Sequence, residues 1–119
     1  MKKIRILDSE YEIQIHKTSE DKLLKKNNWS GYHDGFSKLI VLADFDEEEF
    51  YPDVSEQTKD MMCKQMLRHE LIHAFLFESG LNTNTFTVEE PWSINEELVD
   101  WVAIQFPKMY NIFKELGCL

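Results

Sequence analysis

The sequence predicts an α+β fold, a small N-terminal antiparallel or mixed β-sheet followed by two long helices. Three observations predict it. Apolar and polar residues alternate through the first fifteen positions, and an unbroken apolar run follows near position 40. Asp, Asn, Ser and Gly punctuate that region as turn residues do. From Ser55 onward the apolar spacing becomes helical. Strands first and helices afterwards is the α+β order. A chain of 119 residues suits one domain spanning 1–119 and buries roughly two-thirds of its unfolded surface, so a single core needs no staples.

Taken in order, Ile4 and Ile6, then Tyr11, Ile13 and Ile15, alternate around Asp8-Ser9-Glu10 and predict a hairpin. A short helix over Glu20 to Lys26 follows, capped by Ser19. Next come Trp29 to Tyr32, a turn at His33-Asp34-Gly35, and the run Ser37-Lys38-Leu39-Ile40-Val41-Leu42, expected as an exposed edge strand. Asp44 to Glu49 form a solvated acidic loop. Ser55 is placed to cap a long helix to about Ser79, where Gly80 supplies the stop. The second half of that helix (Leu67, Leu71, Ile72, Ala74, Phe75, Leu76, Phe77) is apolar nearly all round, the pattern of a buried helix. Residues 81–90 are polar turn material. Pro91-Trp92-Ser93 opens another helix through about Phe106, Pro107 breaks it, and a final short helix ends at Gly117.

Composition narrows the function classes. A net charge of −9 disfavours nucleic acid as a partner, because phosphate binding needs Lys and Arg density. Lys2-Lys3 is followed by no long apolar run, and no stretch approaches membrane-spanning length, so a soluble cytoplasmic protein with no membrane partner is expected. Cys63 and Cys118 lie far apart, form no metal-ligand pair, and suit a reducing compartment.

The chemistry sits in His69-Glu70-Leu71-Ile72-His73, an HExxH motif on the predicted long helix. Four residues of helix turn through about 400° and rise about 6 Å, so both imidazoles leave one face. Two neutral nitrogens so placed can share one Zn²⁺ at about 2.0–2.1 Å each, with Glu70 on the flank to take a proton from a metal-bound water. Buried without partners, two imidazoles and a carboxylate would cost several kcal/mol. A metal removes that cost.

No histidine follows the motif, which excludes HExxHxxGxxH and SprT-like patterns and leaves downstream carboxylates for the third ligand. Asn95-Glu96-Glu97-Leu98-Val99-Asp100 offers them on the next helix. Glu96 and Asp100 are four apart, share a face and are flanked by the core-type residues Ala103 and Ile104. Glu97 points about 100° away. An early-turn acid is also what the helix dipole favours, and that is the reading for Glu97. The expected metal set is Zn²⁺ on His69, His73 and Glu96, with Asp100 accepting a hydrogen bond from one ligand histidine. Two imidazoles and a carboxylate favour zinc over other divalent ions.

With HExxH followed by Asn-Glu-x-x-x-Asp, the chain resembles the gluzincin clan. It is most similar to the small ImmA/IrrE-type metallopeptidase domains of phages and mobile elements. The resemblance covers about 55 to 107 well and the strands only in layout. It departs from the family in Val99-Asp100, where Ala-Asn is usual, and no DNA-binding helix-turn-helix is readable. It implies a minimal zincin fold and a zinc metallopeptidase hydrolysing a peptide or protein substrate through a zinc-bound water activated by Glu70. In some relatives that substrate is a repressor protein. An extended peptide could pair with the Ser37–Leu42 edge. Tyr32, His33, Tyr51 and Tyr110 are candidates to stabilise the oxyanion. The alternative is a non-catalytic zinc-binding regulatory or interaction protein with a zincin fold. A metal-free interaction module using Met61, Met62 and Met66 is a third reading, although such a cluster is usually core filler.

Overall fold

A computed structural model describes residues 2–82 and 91–119. β1 (Lys2–Ile6) and β2 (Ser9–His16) form the expected hairpin. α1 (Lys22–Asn27), β3 (Gly31–Asp34), β4 (Leu39–Ala43) and α2 (Glu56–Glu78) follow. A 3-10 turn (Trp92–Ile94) then leads into α3 (Glu96–Glu115). The architecture is α+β, a four-stranded mixed sheet followed by helices. The turn expected over 81–90 lies mostly outside the described residues. Among the described residues no helix is long and apolar enough to cross a membrane.

The sheet order is β1-β2-β4-β3, with β2 and β4 parallel and both outer pairs antiparallel. The apolar run expected at an edge is therefore an inner strand, and the edges are β1 and β3. The reason is burial on both faces. Ile40 and Leu42 pack with Ile6, Tyr11 and Ala74 of α2, while Val41 and Ala43 pack with Leu24 of α1, Tyr32 and Tyr51. A strand covered on both sides has no polar face to alternate with. His33 and Asp34 belong to β3 rather than to a turn. The turn comes after them and is held by the Asp34 carboxylate, which accepts from the Phe36 and Ser37 amides and the Ser37 hydroxyl.

Three helix boundaries differ from expectation for local reasons. Asp21 caps α1, accepting from the Leu23 and Leu24 amides. The Ser19 hydroxyl instead donates to Glu47, which also takes the Thr18 amide. Trp92–Ile94 is a 3-10 turn, and α3 starts after Asn95, whose side chain accepts from the Leu98 amide. Pro107 does not break α3, which continues to Glu115. A helical proline orphans the carbonyl four residues earlier. Here that carbonyl, on Ala103, accepts from Arg68 Nε of α2 at 2.7 Å. The same bond docks α3 on α2.

Ser55 and Gly80 (φ 83) bound α2 as expected. Its second half is less enclosed than its composition suggests. Phe75 is exposed, Leu67, Leu71, Ile72, Leu76 and Phe77 are half-buried, and His69, Glu70, His73 and Ala74 are buried. The most buried face of the helix is therefore the polar one. Met66 packs against the core, Met62 is half-buried and Met61 is exposed.

At the C-terminal end of α2, Glu78 gathers donors from the sheet. The Ser9 and Tyr11 hydroxyls each donate to it at 2.7 Å, and Lys38 forms an ion pair with it. Burial pushes its pKa up, but the bonds from Lys38, Ser9 and Tyr11 outweigh that and hold it at about 2. A carboxyl depressed in the folded state stabilises the fold above its ordinary value of 4.5, and that contribution is lost as pH falls towards 2. In urea melts the wild type is expected to lose about 1–3 kcal/mol through this group over that window, and Glu78→Gln to lose less. Equal acid sensitivity in the two proteins would refute the assignment.

Candidate metal centre

α2 turns His69, Glu70 and His73 inward together, as the four-residue spacing requires, and all three are buried. Their ligand atoms lie within 4.8 Å of one another, a group able to hold a metal ion. The far nitrogens of both rings are committed. His69 Nδ1 donates to Asp100 Oδ1 at 2.7 Å, and His73 Nδ1 donates to the Ser93 carbonyl at 2.5 Å. With the hydrogens at Nδ1, both Nε2 atoms carry lone pairs. They lie 3.0 Å apart, and the two Glu96 oxygens stand 3.0 Å from His69 Nε2 and 3.1 Å from His73 Nε2.

Acceptor atoms this close repel one another unless a cation, a proton or a metal, sits among them. A tetrahedral ion with bonds of about 2.0–2.1 Å spaces its donors about 3.3 Å apart. The two Nε2 atoms are a few tenths of an ångström closer than that, each faces its own Glu96 oxygen, and two imidazoles with a carboxylate are donors a divalent metal ion accepts.

α3 delivers Glu96 from its first helical position and Asp100 one turn later, so the two share a face as expected. They are not hemmed in by core residues. Glu96 and Asp100 have side chains 67% and 56% exposed, and of the two flanking residues Ala103 is buried while Ile104 is exposed. Glu97 faces solvent.

Glu70 Oε1 lies 4.0 Å from His69 Nε2. Burial, then the charges of Glu96 and Asp100, push its pKa up to about 8. Gly31 of β3 stands opposite. A Cβ there would meet the Val41 carbonyl oxygen at 2.9 Å and Glu70 Oε1 at 3.3 Å, so only glycine lets the strand come this near. A glycine inside a strand signals such an approach, and Gly31 was not singled out from the sequence.

A cleft of about 660 Å³ opens between the β3 edge and α2, with Ser93, Ile94, Glu96 and Asp100 on its far side. Tyr32 and His33 line it. Of the other oxyanion candidates, Tyr51 packs on Phe45 beneath β4, and Tyr110 stands beside Phe106 on the far half of α3. His33 stacks parallel to His73 at 6.4 Å, and burial, with His73 beside it, lowers its pKa to about 4. The buried Ser93 hydroxyl has no hydrogen-bond partner among the described residues. No protein-family model matches the chain, and neither a curated protein nor a solved structure does.

Proposed function

We propose that the protein is a zinc-dependent metallopeptidase of the gluzincin type. In this reading His69, His73 and Glu96 hold Zn²⁺, Glu70 is the catalytic base and Asp100 orients His69. The observation that carries it is the pair of Nε2 atoms 3.0 Å apart, each 3.0–3.1 Å from one oxygen of the Glu96 carboxylate, with both Nδ1 atoms tied to acceptors. Its order in the chain, HExxH and then Asn-Glu-x-x-x-Asp on the next helix, supports the similarity to ImmA/IrrE-type domains. Asp in place of the usual Asn at position 100 is compatible with that, since either side chain offers Oδ1 to His69 Nδ1.

When bound, the metal supplies Lewis-acid polarisation of the substrate carbonyl and of the attacking water. Glu70 moves the protons. Its carboxylate takes one from the water as the oxygen attacks the peptide carbonyl carbon, and gives it to the nitrogen as the C–N bond breaks. A cation beside it would bring its pKa down from about 8, leaving it ionised and ready to accept.

The substrate strand belongs on β3, not on the inner strand β4. Ser30 O accepts from Ala43 N, and Tyr32 is opposite Val41. The antiparallel alternation then leaves the backbone groups of Gly31 and His33 directed outward, along the cleft. An extended peptide can add there as a further strand. The open cleft beside the donor triangle favours catalysis over a closed structural site. Zinc-loaded protein incubated with a mixed-sequence peptide library is expected to cut it, to stop on addition of a chelator and to resume with zinc. Cleavage that ignores the chelator, or none with zinc bound, would contradict the proposal.

A further inference from the structure

We infer that His33 contacts bound peptide, accepting a hydrogen bond at Nδ1 from a substrate N–H, and that Tyr11 and Glu78 hold it in the tautomer this requires. The inference rests on the reading of the cleft as a peptide site.

The other histidines have both ring nitrogens engaged. His16 bonds Asp21 through Nδ1 at 2.6 Å and Gln14 through Nε2 at 2.7 Å. His69 and His73 use Nδ1 for Asp100 and the Ser93 carbonyl, and Nε2 for the donor triangle. His33 bonds only through Nε2, to the Tyr11 hydroxyl at 3.1 Å. Its Nδ1 has no hydrogen-bond partner among the described residues, and His33 lines the cleft.

The tautomer follows from the chain of bonds behind it. Glu78, paired with Lys38, is a carboxylate and can only accept, so the Tyr11 hydroxyl hydrogen points at Glu78 at 2.7 Å. The Tyr11 oxygen then faces His33 as an acceptor, and His33 Nε2 must carry the hydrogen. In the neutral ring the lone pair falls on Nδ1. The ring's orientation is fixed by its neighbours: it is parallel to His73 within 3°, stacked on buried Tyr11 at 5.6 Å and meets Phe77 edge-on at 5.4 Å. An immobilised acceptor on the substrate-facing strand complements a peptide amide N–H. It is the wrong polarity to stabilise an oxyanion.

His33→Gln separates this role from a structural one. Glutamine keeps an N–H for Tyr11 but offers no acceptor where Nδ1 stood. The test compares zinc-loaded wild type and variant, each checked for equal zinc content, by calorimetric titration with two probes. One is a dipeptide hydroxamate, which has peptide N–H groups, and the other is N-methylacetohydroxamate, which has none. The dipeptide probe is expected to bind about tenfold more weakly to the variant, the scale of one good hydrogen bond, while the small probe binds both alike. Equal affinity of the dipeptide probe for both proteins overturns the inference, as does equal weakening of both probes. Failure of the small probe to bind zinc-loaded wild type refutes the reading of the cleft as an open catalytic metal site instead, and the inference falls with it. Independently of substrate, nitrogen-15 spectra of the wild-type ring are expected to show hydrogen on Nε2 and a bare Nδ1, and Tyr11→Phe to mix the tautomers. An Nδ1–H ring in the wild type overturns the inference.

Discussion

Glu70→Gln is expected to bind zinc as the wild type does and to lose peptide hydrolysis by about a hundred- to ten-thousand-fold, the range one general acid–base group contributes. The side chains are close in shape, and Glu70 is not one of the three proposed ligands. The glutamine amide cannot take a proton from water or return one to the leaving nitrogen. Burial of Glu70 makes the experiment clean, because the interior already disfavours its charged form and a neutral amide of similar shape suits the same surroundings. The fold should tolerate it. Parallel measurements of zinc content, thermal stability and cleavage check each part. Cleavage at the wild-type rate would rule out Glu70 as the proton carrier.

Asp100→Ala is expected to weaken zinc binding by about ten- to a hundred-fold, read by competition with a chelating dye. The bond at stake is His69 Nδ1 to Asp100 Oδ1 at 2.7 Å, which fixes the ring's rotation and leaves the Nε2 lone pair facing the triangle. Without it the ring can turn, and the proton can move to the ligand nitrogen. Asp100→Asn, which keeps an oxygen acceptor, should weaken binding less. Unchanged affinity in the alanine variant would mean that Asp100, more than half exposed, is an ordinary surface acid.

Much of the site was legible because its parts are local. The spacing of His69 and His73 sets their common face on any helix, and Glu96 with Asp100 follows the same rule one helix later. The hairpin and the Ser55 cap were equally local. What the sequence hid depends on partners distant along the chain. The Ser93 backbone carbonyl that takes His73 Nδ1 has no side-chain signature. The bonds of Ser9 and Tyr11 to Glu78 join residues nearly seventy positions apart, and His33 draws its role from them.

Pro107 reads as a stop until Arg68 is seen to satisfy the carbonyl it orphans. Ser19 reads as the cap of α1 until Glu47, distant along the chain, is seen to bind its hydroxyl and Asp21 to cap the helix instead. One error had a visible signal. Leu39-Ile40-Val41-Leu42 has no polar alternation, as an inner strand covered on both faces requires, while Gly31-Tyr32-His33 carries the marks of the edge.

The zinc content of freshly purified wild type and Glu96→Ala, measured side by side by elemental analysis, tests the central claim most directly. About one zinc per wild-type chain is predicted, with a clear loss in the variant, since removing Glu96 leaves two histidines to hold the ion. A wild type that carries no metal and takes up none when zinc is added would contradict the account, and the meeting of His69, His73 and Glu96 would then be a proton-bound cluster with no catalytic role.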